Sequence, residues 1–136
     1  MRGKKIVFRS VSVVIIAVFA LLLVATLCLA GIRWTDNGVA VCTAAGDQAN
    51  PQITTDGAGG AIITWEDDRV GADDIYAQRI NPAGAVQWTA DGVAVCTDPG
   101  QQQQEQIISD GAGGAVIVWE DGRGVDADVY AQRIDS

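Results

Sequence analysis

The chain is written twice. Residues 34–82 and 88–136 align without gaps at a shift of 54, and 29 of the 49 aligned pairs are identical. Trp34 falls on Trp88, Cys42 on Cys96, and Trp65-Glu66-Asp67 on Trp119-Glu120-Asp121. Asp56-Gly57-Ala58-Gly59-Gly60 recurs at Asp110-Gly111-Ala112-Gly113-Gly114, and Tyr76-Ala77-Gln78-Arg79-Ile80 recurs at Tyr130-Ala131-Gln132-Arg133-Ile134. A fixed period of this size marks a repeat architecture, in which one unit cannot bury its apolar face alone. Function then belongs to units assembled together.

Inside a copy the apolar residues alternate with period two, and no stretch after residue 32 has a helical period. Four strands are expected. The first, Gln52–Thr55, ends at Asp56-Gly57, with Gly59-Gly60 completing a tight turn. The second is Ala61–Glu66. The third, Asp74–Ile80, closes with the turn Asn81-Pro82-Ala83-Gly84. The fourth runs from Val86 to Trp88 and on through Val93–Cys96, bent at Asp91-Gly92. In the second strand Ala61, Ile63 and Trp65 share one face, and Ile62 and Thr64 the other. Ala115, Ile117 and Trp119 against Val116 and Val118 repeat the pattern. A strand apolar on both faces is covered on both sides.

Four antiparallel strands in about 40–55 residues, apolar on both faces, describe one blade of a β-propeller. The expected fold is therefore all-β: two four-stranded antiparallel blades (residues 33–136) after an N-terminal apolar helix (residues 1–32). The strand order starts with a fourth-type strand, Arg33–Cys42, and ends with a third-type strand, Asp128–Asp135. That order leaves the N-terminal strand available to complete the last blade.

Residues 1–32 lie outside the repeat. Arg2, Lys4, Lys5 and Arg9 precede an uncharged run, Val11–Leu29, interrupted only by Ser12 and Thr26. This is a signal peptide, with Cys28 and Ala30 placed for cleavage, or a retained membrane anchor. Either reading takes the rest of the chain out of the cytoplasm, secreted or at the cell envelope, with membrane contact only through this segment. Beyond the leader, five Arg and no Lys stand against 17 acidic residues, a net charge of −12. Such a surface repels phosphate backbones, which excludes nucleic acid as a partner class. The absence of His removes the commonest general base and metal ligand. Cys42 and Cys96 hold the same place in successive copies. They are expected to be separate thiols packed as small hydrophobes, not a disulfide.

Ala61–Ile80 joins an apolar strand, Trp65-Glu66-Asp67-Asp68-Arg69, a Gly-containing turn and Asp74-Ile75-Tyr76. This pattern resembles the PD40 repeat of TolB-like β-propellers. It resembles still more the Trp-x-Asp-x-Arg…Asp-Ile-Tyr-Ala-Gln-Arg arrays of large secreted bacterial proteins. The resemblance covers both copies and implies the propeller fold. Propellers of this kind carry about six or more blades, so it also implies a larger array or a ring of several chains.

Three sets of residues are candidates for a site. Acidic side chains crowd the loop between the second and third strands: Asp67, Asp73 and Asp74 in copy one, Asp121, Asp126 and Asp128 in copy two. Clustered carboxylates on such a loop are the chemistry of a structural Ca²⁺, the one cofactor considered. The competing reading ties Asp67 and Asp121 to turn amides or to Arg69 and Arg123. Trp34 and Trp88, near a strand bend, are candidates to stack on a sugar ring. Trp65 and Trp119, which share a face with Ile63 and Ile117, are expected in the core. Tyr76, Tyr130, Arg79 and Arg133 lie on the recurring strand. Arg79 is expected to pair with a carboxylate. The run Gln101–Gln104, the main asymmetry between copies, reads as a solvated loop.

An active site usually breaks repeat symmetry, and no polar constellation occurs in one copy alone. The expected function is a non-catalytic extracytoplasmic module for binding or scaffolding, in a larger array or a homo-oligomer. A glycan-binding lectin built from two-blade chains is the alternative, ahead of a propeller glycosidase. Its partner is a protein or a glycan.

Overall fold

The computed structural model describes residues 34–136. The leader or anchor expected over residues 1–32 lies outside the described residues. The described part is all-β, with no helix and seven strands: β1 (Gln48–Thr55), β2 (Ala61–Asp67), β3 (Asp74–Ile80), β4 (Val93–Cys96), β5 (Gln102–Ser109), β6 (Ala115–Asp121) and β7 (Asp128–Ile134). They form two antiparallel sheets, ordered β1-β2-β3-β4 and β5-β6-β7.

Each hairpin follows from its turn residues. Asp56 Oδ1 accepts from the amides of Ala58 and Gly60, both at 2.8 Å, and pins the β1–β2 turn. Asp110 does the same for Ala112 at 2.7 Å and Gly114 at 3.0 Å. Gly60 is irreplaceable here: a Cβ on it would overlap the Ile80 carbonyl oxygen. The fourth strand arrives over Gly92, whose φ of +90° and contact with Trp65 leave no room for a side chain.

Several boundaries differ from the sequence reading. β1 begins four residues before Gln52, because a bulge between Ala49 and Gln52 carries the ladder past Pro51. Asn50 at φ +51° supplies the bulge, and Gln104 at φ +59° repeats it in β5. The Gln101–Gln104 run is therefore not a solvated loop. Gln102 opens β5 fully buried and donates to the carbonyls of Asp98 and Gly100. Val86–Trp88 makes one isolated bridge, Ile80 to Val86, so only Val93–Cys96 forms the fourth strand. Most important, residues 34–42 form no strand. The expected eighth strand is absent because a β-strand needs a neighbour to bond, and this segment has none among the described residues.

The two sheets stack face to face, with β5 lying against β1, β2 and β3. The core between them joins Ile75 and Ala77 of sheet one to Ile117 and Trp119 of sheet two. Trp88, Val95, Cys96, Ile107 and Ile134 pack around it. Cross-strand partners share a face. Thr64 pairs with Ala77 and Ile117 with Gln132. Sheet one therefore presents its Ile75/Ala77 face to the Ile117/Trp119 face of sheet two. The two-faced apolar pattern of β2 is realised: Ile62, Thr64 and Trp65 are all buried.

Candidate functional site

Each copy carries the same nest of side chains. In copy one the Trp65 indole Nε1 donates to Asp67 Oδ2 at 2.8 Å, and Arg69 Nε donates to Asp67 Oδ1 at 2.7 Å. A second Arg69 nitrogen, Nη2, closes a bidentate fork on Oδ2. The guanidinium lies 3.9 Å from the centre of the Tyr76 ring, which stacks in turn on Trp65 at 6.4 Å. Copy two repeats this with Trp119, Asp121, Arg123 and Tyr130: the indole bond is 2.8 Å, the cation–ring distance 3.9 Å and the ring spacing 6.4 Å. Alternation in the strand and the one-turn return of the chain make this possible. Asp67 comes two residues after Trp65 and so lies on the same face, and Arg69 folds back over both.

Burial of the aspartates opposes their ionisation, and their partners outweigh it. The Arg123 guanidinium, with the Trp119 indole, holds the Asp121 carboxyl far below the usual range. For Asp67, burial pushes upward, and bonds from Arg69 and Trp65 overcome it, so its carboxyl is also lowered. Asp67 and Asp121 thus take the arginine-bound reading. Asp73 is engaged elsewhere, with its Oδ2 accepting from Gln101 Nε2 at 2.7 Å. Asp74 is buried with Oδ2 unpartnered, and burial raises its carboxyl, followed by the charges of Asp67 and Asp73. Asp126 and Asp128 are exposed. Among the described residues no three acidic or Cys side chains converge to hold a metal ion.

The other candidates are also dispersed. Trp34 donates its Nε1 to the Pro82 carbonyl at 3.1 Å and covers Gly84. Trp88 is half-buried against the core. Arg79 pairs with Asp56 at 3.1 Å and Arg133 with Asp110 at 2.8 Å, which stiffens the β1–β2 and β5–β6 turns. Trp65 and Trp119 are core residues, 3% and 4% exposed. Cys42 and Cys96 are free thiols, half-buried, and each accepts a 3.3 Å contact, Cys42 from Arg69 and Cys96 from Arg123.

What separates the two nests is their covering. In copy one the segment Trp88–Gly92 lies over the nest. Gln78, fully buried, donates to the Thr89 carbonyl at 2.8 Å and accepts from the Trp88 amide at 2.9 Å. Arg69 reaches the Asp91 carbonyl at 2.9 Å, and Gly92 seats on Trp65. In copy two nothing among the described residues takes that place. Arg123, Tyr130 and Gln132 instead face an open groove of about 510 Å³ floored by Trp119 and walled by Val95–Pro99. Gln132 is exposed, and its Oε1 accepts only from the Arg133 amide, at 3.1 Å.

Sequence reasoning placed Gln78 on a strand face and Glu66 in the acidic loop but missed two arrangements. Gln78 and Gln132 are identical in the repeat and could have been singled out as polar residues on an otherwise covered strand. The other is a carboxylate pair between the sheets. Glu66 accepts from the Gln104 amide at 2.7 Å and from Asn50 Nδ2 at 2.6 Å. Beside it Glu105 is buried with both oxygens unpartnered, and burial pushes its carboxyl up to about 7. Nothing in the sequence around Glu105 marks it, since its counterpart is Pro51. Set against family models, curated proteins and solved structures, the chain matches none.

Proposed function

We propose that residues 33–136 are a non-catalytic β-propeller-type repeat module, exported by the leader, that binds or scaffolds at the cell envelope. In this reading each copy is one blade, and blades complete one another in a longer array or a ring of chains. One observation carries it: the same nest is sealed in copy one by the segment after it and has no such cover among the described residues in copy two. An unfilled position in a repeating stack is what a module built to continue would present. The tied-up state of the aspartates supports a non-catalytic role. Asp121 is committed to Arg123 and Trp119, so it is a poor proton donor or nucleophile.

A second reading draws on the open groove itself. The exposed Gln132 carboxamide there stands beside the part-exposed Tyr130 ring, hydrogen-bonding and aromatic groups of the kind that take a sugar, with Arg123 held over that ring by Asp121 and Asp98. On this reading two-blade chains assemble into a lectin. Light scattering on a sizing column tests both. A discrete oligomer supports a completed ring, and retention of a sugar by that oligomer supports the lectin. A stable monomer at every concentration overturns the module reading.

A further inference from the structure

The internal contact between the two copies is a template for contact between two chains. β4 does two jobs: it pairs with β3 of its own sheet, and through Cys96 it touches Arg123 of the next sheet. Val39–Cys42 is the same sequence one repeat earlier, within a segment, 34–42, that matches 88–96 at seven of nine positions. It already does half of that work. Cys42 touches Arg69 at 3.3 Å, just as Cys96 touches Arg123. Thr43 fixes the segment's end by donating to Asp91 Oδ1 at 2.8 Å. The other half, pairing with a third strand, is unmet among the described residues.

The complementary gap lies at the other end of the stack. β7 is a third strand whose outer edge has no neighbour among the described residues. The faces match as well as the edges. Ile75 is fully buried between the sheets, whereas its counterpart Val129 is 78% exposed. Val118 and Ile108, on the same outer face as Val129, are exposed too. At the opposite end Ile53 is 67% exposed, although its counterpart Ile107 packs in the core. One end therefore displays the face that Ile75 presents inside the chain, and the other displays the face that receives it. Gly38 and Gly92 show the same contrast in a single atom. Their φ angles match, +94° and +90°. A Cβ on Gly92 would strike Trp65 at 2.5 Å, while one on Gly38 would meet nothing.

We propose that Val39–Cys42 of one copy serves as the fourth strand of the second sheet of another copy, with Trp34–Gly38 lying over that sheet's nest, head to tail. The inference rests on the module reading above and specifies its partner and register. Translating Ile75–Cys96, Tyr76–Ala94 and Ala77–Val93 by one repeat sets Val129 opposite Cys42, Tyr130 opposite Ala40 and Ala131 opposite Val39. The Trp34 amide and the Thr35 carbonyl engage Gln132, Arg123 reaches the Asn37 carbonyl, and Gly38 seats on Trp119. Among the described residues the two ends do not pair within one chain: segment 34–42 lies against the first sheet, while β7 edges the second. Such a contact is heterologous, and it makes a ring if its rotation closes and a filament if it does not.

A mixing experiment on the full chain tests this. Gly38→Asn blocks only the head, since Asn tolerates a positive φ and its side chain meets nothing in its own chain. Val129→Asp blocks only the tail, since that position is exposed in its own chain. Each variant alone should be monomeric, and an equimolar mixture should give a 1:1 dimer by light scattering. A mixture that stays monomeric while the unmodified chain associates overturns the head-to-tail register and leaves self-association standing. An unmodified chain that never associates overturns both readings. A second measurement is independent of these variants. In a Cys28→Ser, Cys96→Ser background, Val129→Cys should oxidise to a disulfide with Cys42 of another copy, found by peptide mass mapping. A covalent dimer joined only through the introduced thiols of both copies overturns the proposal.

Discussion

β3 and β7 have nearly the same sequence, Asp74-Ile75-Tyr76-Ala77-Gln78-Arg79-Ile80 against Asp128-Val129-Tyr130-Ala131-Gln132-Arg133-Ile134, and opposite environments. In β3 five of seven residues are buried; in β7 none is. The pairing with the preceding strand is the same in both, residue for residue. The difference lies on the far side: β3 has a strand on its outer edge and a sheet on its outer face, and β7 has neither among the described residues. Secondary structure in this chain is thus a local property of the repeat, whereas burial is a property of having a next repeat. That is the expected behaviour of a quasi-one-dimensional stack, whose stability sits largely in the interfaces between units.

Paired substitutions at equivalent positions break or sharpen this comparison. The largest contrast is expected at Ile75 and Val129. Ile75→Ala should cost about 3 kcal/mol in urea melts, as buried aliphatic truncations do. Val129→Ala should cost about 0.5 kcal/mol or less at concentrations where the chain is monomeric. Equal losses would show that β7 is buried after all. Gly92→Val should cost about 2–3 kcal/mol, because its Cβ would overlap Trp65 and the Ala77 carbonyl. Gly38→Val carries only its own backbone strain, about 1 kcal/mol. The nest is present in both copies, so Asp67→Asn should cost about 2 kcal/mol by leaving Arg69 without its carboxylate, and Asp121→Asn somewhat less, because Arg123 keeps Asp98.

A smaller effect concerns pH. The carboxyls of Asp67 and Asp121 are lowered in the fold. The stability they contribute is present above their ordinary value of 3.8 and is lost as pH falls below it. Glu105 has the opposite sign. Its carboxyl rises from 4.5 to about 7, so the stability of its neutral form is full below 4.5 and is lost as pH climbs to about 7. Thermal melts should therefore peak at about pH 4–4.5, and Glu105→Gln should flatten the decline on the alkaline side. An unchanged decline would mean that Glu105 is not the group responsible. The smallest expected effect is that of a chelator. With Asp67 and Asp121 bound by arginine, EDTA should leave Tm unchanged, and a fall of several degrees would restore calcium to the acidic loops.

Most of this is legible in the sequence, because the repeat reports its strands twice. β3 matches to the residue, and alternation with Ile63 and Ile117 puts Trp65 and Trp119 in the core. The bonds of Asp67 to Arg69 and of Arg79 to a carboxylate follow from turn chemistry. The illegible parts depend on neighbours. Val39–Cys42 matches the sequence of β4 and forms no strand, since pairing is supplied from outside the segment. The Gln101–Gln104 run is polar enough to read as loop, yet the β5 ladder and the buried carboxamide of Gln102 claim it. Glu105 carries no signal at all: its burial arises where β5 meets sheet one, beside Glu66.

Amide hydrogen exchange at two protein concentrations puts the central claim to the most direct test. At low concentration the outer-edge amides of β7 and those of Val39–Cys42 should exchange fast, while β3 and β4 are protected. At high concentration both segments should gain protection together, toward the level of their counterparts. If β7 and Val39–Cys42 exchange at rates independent of concentration, or if one gains protection without the other, a second copy of the chain does not complete the stack.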